Sequence, residues 1–169
     1  MTPSPFVMAH RRLAPPGPVL DVACGKGRHA LALARDGRRV EAIDRDLARC
    51  SDLAARARAE GLRVDVVCAD LEHVSLPVAR HALVVNTLYL DRALVPALAR
   101  ALRPGGLLLF ETFTVEQLAT GHPRNPAFVL APGELLRLAA GLDVIAYSEG
   151  PTERDGRTVH LASLAARAP

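Results

Sequence analysis

The feature that most constrains this chain is alternation. Short runs rich in Val, Leu and Ile take turns with Ala/Leu/Arg segments of helical period. That rhythm predicts a parallel sheet with helices on its faces, an α/β architecture. Strands are expected at Pro18–Ala23, Arg39–Asp44, Arg63–Cys68, Ala82–Asn86 and Leu107–Thr112. Helices are expected from about Arg28 to Asp36 and from about Leu47 to Glu60, the second with Asp46 as N-cap. A further helix should begin a residue or two after Asp91 and run to Arg103, ended by Pro104-Gly105-Gly106. The pattern then breaks. A segment of about 113–131, with Gly121, Pro123 and Pro126, reads as a lid-like loop. A last helix should open at Pro132-Gly133-Glu134 and run to Ala140. The final strands, 142–148 and 158–165, are close enough to form an antiparallel hairpin.

With 169 residues, the chain is the size of one hydrophobic core. We divide it into a Pro-rich N-terminal arm, 1–16, and a single domain, 17–169. The net charge of +3 is too small to mark a nucleic-acid protein. Nearly all the cations are Arg, which is expected of a genome with Arg-rich codon usage. Cys24, Cys50 and Cys68 form no CxxC pair and predict neither a metal site nor a disulfide framework. With no long apolar run and no signal-like leader, the expected location is cytoplasmic, without membrane contact.

Chemistry concentrates at the first strand-to-helix turn, Ala23-Cys24-Gly25-Lys26-Gly27-Arg28. Gly25 and Gly27 let a ligand approach the backbone, and the following helix offers free N–H groups. Three aspartates sharpen the reading. Asp21 lies four positions before Gly25, Asp44 ends the second strand, and Asp70 ends the third. A carboxylate at Asp44 suits vicinal ribose hydroxyls, Asp70 suits an exocyclic adenine amine, and Asp21 suits an ammonium group. Adenosine carrying a cationic tail satisfies all three. Adenosine pyrophosphate does not, because Asp21 would face phosphate. An NAD dehydrogenase is therefore a distant reading.

The segments Leu20-Asp21-Val22-Ala23-Cys24-Gly25-Lys26-Gly27, Ala42-Ile43-Asp44, Cys68-Ala69-Asp70-Leu71 and Leu102-Arg103-Pro104-Gly105-Gly106 resemble the successive motifs of class I S-adenosylmethionine-dependent methyltransferases. Within that superfamily, the Ala23–Ala30 stretch is similar to small bacterial tellurite-resistance and thiopurine-type methyltransferases. The resemblance implies a Rossmann-like sheet of seven strands in order 3-2-1-4-5-7-6, the seventh antiparallel. It implies S-adenosylmethionine as cofactor. Asp21, Gly25 and Gly27 would hold its methionine part, Asp44 its ribose, Asp70 and Leu71 its adenine, and Asn86 would lie near the methyl. Ala23, Cys24, Arg28 and Arg45 complete the expected cofactor set. Asn86-Thr87-Leu88-Tyr89 lacks the Asn-Pro-Pro-aromatic tetrapeptide of adenine-N6 and glutamine methyltransferases.

The expected activity is methyl transfer to a small molecule, such as tellurite, selenite or a thiol. RNA or protein methylation is a second reading, requiring Arg11, Arg12, Arg124 and Arg157 to gather at the pocket mouth. A non-catalytic cofactor-binding subunit is a third. Tyr89, Glu111 and His122 are candidate general bases, and Arg124 and Asn125 candidate oxyanion ligands on the substrate side.

Overall fold

The computed structural model describes residues 2–169. Its centre is a seven-stranded sheet in the order β3-β2-β1-β4-β5-β7-β6. The strands are β1 Val19–Val22, β2 Val40–Asp44, β3 Val64–Cys68, β4 His81–Thr87, β5 Leu102–Phe113, β6 Asp143–Arg154 and β7 Arg157–Arg167. The first five run parallel, and β7 lies antiparallel to both β5 and β6. The order and the reversed strand agree with the sequence reading. The helices are α1 Pro5–His10, α2 Arg28–Arg35, α3 Leu47–Ala59, α4 Val95–Ala101 and α5 Glu134–Leu138. No described helix is long and apolar enough to cross a membrane.

Both sheet faces are covered, as a parallel sheet requires. One core packs Leu20, Val22, Val84, Leu108 and Phe110 against α4 and α5. The other packs Val19, Leu83, Val85, Leu107 and Leu109 against α1, α2 and α3. Along β1, β4 and β5 the side chains alternate between these two cores.

Several elements depart from expectation, among them a short helix, α1, inside the expected arm. Helix α4 is shorter at both ends, and Leu102 already pairs with His81 as the first residue of β5. Arg103 precedes Pro104, which biases it toward extended backbone, and a register shift absorbs the extra residues before Leu83 meets Leu107. The final hairpin is longer, because Asp155 and Gly156 both adopt positive φ and turn the chain in two residues. The 113–131 segment holds two 3-10 turns, Val115–Thr120 and Pro126–Phe128, over a stitched base: the Leu130 N–H donates to Phe113 O, and the Val115 N–H donates to Leu130 O.

The glycine turn joins fold to site. Gly25 has φ +56 and Gly27 has φ +71, both in the left-handed region. A Cβ on Gly27 would stand 2.2 Å from Leu53 Cδ1, and Leu53 is fully buried. A Cβ on Gly25 would meet nothing within 4 Å. Gly27→Ala should therefore cost about 2–5 kcal/mol of stability, from left-handed strain plus overpacking. Gly25→Ala should cost about 1–2 kcal/mol, from strain alone. Urea titrations of the two variants check the ordering, and equal midpoints would contradict it.

Candidate active site

The carboxyl ends of β1, β2, β3 and β4 surround a cleft of about 560 Å³. Ligands of open α/β sheets bind at this end. Ala23, Asp44, Arg45, Asp70, Leu71 and Tyr89, all expected from sequence, line it together. A larger cavity of about 850 Å³ lies at the opposite end, among Arg12, Arg38, Arg39, Arg63 and Arg80. Four of those guanidiniums are already bonded to carbonyls or carboxylates: Arg38 to Ala14 O, Arg63 to Gly37 O, Arg39 to Asp65 and Arg80 to Glu41.

Asp44 is held in the cleft by two backbone N–H groups. Its Oδ2 accepts the Gly25 N–H at 2.7 Å, and its Oδ1 accepts the Asp46 N–H at 2.9 Å. The two bonds fix the carboxylate and leave acceptor capacity on each oxygen. Asp70 Oδ1 accepts the Glu72 N–H at 3.1 Å, closing a local turn that orients the second carboxylate. Asn86 is buried, and its Nδ2 donates to Tyr89 O at 3.1 Å. Its Oδ1 is buried without a partner, an acceptor awaiting a donor. The Tyr89 phenol is pushed above its usual range, first by burial and then by Asp91, Glu72 and Asp70. At neutral pH it is therefore a hydrogen-bond donor rather than a base.

The glycine turn carries the remaining cofactor candidates. Asp21 is almost fully buried and accepts the Ala30 N–H at 2.9 Å, so it ties β1 to the first turn of α2. Burial raises its carboxyl to about 7, against the opposing pulls of the Ala30 bond and of Arg28. Cys24 is buried, and burial pushes its thiol up, which suits packing rather than nucleophilic attack. His29 Nε2 accepts the Ser4 N–H at 2.9 Å, which puts its proton on Nδ1, 3.4 Å from Thr87 Oγ1. Burial, with Arg28 and Arg154 nearby, lowers this imidazole to about 3.

Four candidates on the substrate side stand elsewhere. Glu111 is buried and fully engaged, with Arg154 Nη1 donating to its Oε1 at 2.8 Å and Ser163 Oγ to its Oε2 at 3.1 Å. A carboxylate held this way is not a free base. His122 is exposed, and its backbone carbonyl accepts Gln117 Nε2 at 3.0 Å. Asn125 Oδ1 accepts the Ala127 N–H at 2.9 Å, so it caps the second 3-10 turn. Arg124 is exposed beside it. None of the four lines the cleft. Arg11 and Arg12 lie with Arg38 at the amino end of the sheet, away from the cleft, which is lined instead by Arg45, Arg49 and Arg92.

Arg92 and Phe128 are among the cleft residues that the sequence reading did not single out. Arg92 donates to Ala127 O at 2.9 Å and to Val129 O at 3.0 Å, and it pairs with Glu134. It thereby clamps the 126–129 turn over the cleft and places the half-exposed Phe128 in its wall. No local signal marks a partnership spanning 42 residues.

Asp21 and His29 give opposite pH dependences. The folded-state pKa of Asp21 lies above its unfolded value, so its contribution to stability falls as pH rises from about 4 to about 7. That of His29 lies below, so its contribution falls as pH drops from about 6.5 to about 3. Between about pH 4 and 6.5 the two slopes, each up to roughly 1.4 kcal/mol per pH unit, oppose one another. Asp21→Asn should leave the histidine slope unopposed, so the variant loses stability on acidification through this window relative to wild type. Urea midpoints measured across it will show this, and parallel profiles would contradict the assignment.

A family model described as "Methyltransferase domain" matches residues 19–106, the stretch from β1 into β5 that builds the cleft. The ubiquinone biosynthesis O-methyltransferase of Idiomarina loihiensis is 35% identical over 156 residues, covering 77% of this chain and 63% of that protein. TehB from Haemophilus influenzae superposes with a TM-score of 0.82 at 21% identity, covering 97% of this chain and 61% of that one. The geranyl diphosphate C-methyltransferase of Streptomyces coelicolor A3(2), crystallised with S-adenosyl-L-homocysteine, gives 0.77 at 18% identity, covering 97% and 77%. The chain thus spans less than two thirds of the length of the first two, and the structural matches speak for the fold alone. The motif order, the sheet topology and the family match together place this chain in the class I S-adenosylmethionine-dependent methyltransferase family.

Proposed function

We propose that this chain transfers a methyl group from S-adenosylmethionine to a small-molecule acceptor. The observation that carries the reading is Asp44, pinned between the Gly25 and Asp46 N–H groups with acceptor capacity left on each oxygen beside the cleft. That suits a pair of ribose hydroxyls. Asp70 and Leu71 would hold the adenine. The unpartnered Asn86 Oδ1 would accept from the cofactor's ammonium group in place of Asp21, which is buried and accepts the Ala30 N–H, and the open space over Gly25 leaves room for its methionine end. The sulfonium supplies an activated methyl. The protein's part is alignment, which can be worth about 7–11 kcal/mol.

The candidate bases bear on the acceptor. Of the three candidates, only Tyr89 lines the cleft, and its phenol is held protonated. This favours an acceptor that needs no proton removed, such as selenite, tellurite or a thiolate. The I. loihiensis relative is an O-methyltransferase, which is compatible with an acceptor oxygen that arrives ionised.

Calorimetry with S-adenosylhomocysteine, NAD and ATP tests the cofactor, and only the first should bind. Asp44→Ala should weaken that binding by roughly 1.5–3 kcal/mol, about 10- to 150-fold; wild-type affinity would remove Asp44 from the site. With an acceptor drawn from the classes above, Tyr89→Phe should change kcat by only a few-fold. A drop of about 10²-fold or more would instead make Tyr89 the general base.

A further inference from the structure

Beside the glycine turn, the sheet face that packs α2 changes character at its carboxyl end. Val85, Leu109 and Ala165 are core residues on β4, β5 and β7. Two residues onward toward the carboxyl end of the parallel strands, the same face presents Thr87, Glu111 and Ser163, which are register partners across the three strands. Neighbouring strands stand about 4.8 Å apart, so this is a compact polar row.

Two arginines close over it. Arg28, the first residue of α2, donates from Nη2 to Thr87 Oγ1 at 3.4 Å. Arg154, at the end of β6, pairs with Glu111 at 2.8 Å; the two side chains are only 10% and 4% exposed. Arg28 Nη1 and Arg154 Nη2 are both buried with no hydrogen-bond partner. The available carboxylates are committed elsewhere. Glu111 is taken by Arg154 and Ser163, Asp21 by the Ala30 N–H, and Asp155 accepts from the Thr2 hydroxyl. Among the described residues, none lies within ion-pairing distance of Arg28. Burial and the neighbouring Arg154 both press on the Arg28 charge. Buried guanidinium N–H groups without acceptors are costly, and two on one row call for a shared anion.

We propose that Arg28 and Arg154 form a seat for one anionic oxygen group of a bound ligand, a carboxylate or a comparable oxyanion, with Glu111 and Ser163 holding Arg154 in place. Planar guanidiniums suit such groups because they offer paired N–H donors. The Thr87 hydroxyl, which receives Arg28 and faces His29 Nδ1, supplies a further donor to the row. The seat rests on its own geometry. Its two possible sources, the cofactor's α-carboxylate and an anionic acceptor, rest on the methyl-transfer reading.

The test compares wild type with Arg28→Met and Arg154→Met. Arg154→Met strands the Glu111 charge; if it fails to fold, the paired change Glu111→Gln with Arg154→Met replaces it. Arg28→Met has no ion pair to lose. Calorimetry uses S-adenosylhomocysteine and S-adenosyl-3-thiopropylamine, which lacks only the carboxylate. A cofactor source predicts that wild type prefers the carboxylate-bearing ligand by about tenfold or more and that the variants lose this preference. An acceptor source predicts that the variants keep wild-type nucleoside binding. Sodium selenite should then raise the melting temperature of the S-adenosylhomocysteine-saturated wild type but not of the variants. If folded variants match wild type in both assays, the seat is refuted. If neither nucleoside binds wild type while selenite still stabilises it through Arg28 and Arg154, the seat stands and the methyl-transfer reading falls.

Discussion

The Asp44 carboxylate is the junction on which the site depends. It ends β2, yet one of its oxygens holds the Gly25 N–H of the turn after β1, and the other holds the start of α3 through Asp46. Two crossovers of the parallel sheet are therefore tied at one side chain. Gly27 makes a second tie, because α2 can start where it does only by leaving Leu53 of α3 the space a Cβ would fill. The turn is a fixed cradle because the packing of α2 against α3 and the hydrogen bonding of Asp44 demand the same backbone path. Such agreement between local and tertiary requirements is what specifies one structure.

Burial sets the chemistry around that cradle. Asp21 on β1 and His29 in the first turn of α2 have their titrations displaced in opposite directions, one carboxyl held toward its protonated form and one imidazole held neutral. Arg28 and Arg154 cannot discharge in this way, since a guanidinium keeps its proton. They retain charge on a face that is otherwise apolar as far as Val85 and Leu109. A polar row on a dry face is a natural place to recognise an anion, because the same contacts in water would be far weaker. The cleft at the strand ends is the opposite case: partly open, rimmed by Asp44 and Asp70, and roofed by the Arg92 clamp.

Much of this was legible in the chain itself. The parallel strands follow from their apolar runs, and α3 from its Asp46 cap, whose side chain does accept the Arg49 N–H. The aspartates at strand ends were legible because a parallel sheet delivers every carboxyl end to one edge. The failures share a cause. The α4–β5 boundary turned on the bias that Pro104 imposes on Arg103 and on a register shift that only the pairing with His81 reveals. Asn125, read from sequence as an oxyanion ligand, also caps its own turn through Oδ1.

What the sequence determined by itself was local and periodic: element type, the glycine turn, and the residues that must stand at the ends of β2 and β3. Tertiary structure decided which polar groups are spent and which remain free. Glu111 is consumed by an arginine 43 residues away, Arg92 is drawn to a glutamate 42 residues away, and Arg28 is left without a carboxylate. The physical reason is that backbone preference is read from neighbours in the chain. Desolvation and hydrogen-bond partnership depend on whatever the fold brings alongside, and no local pattern carries that information.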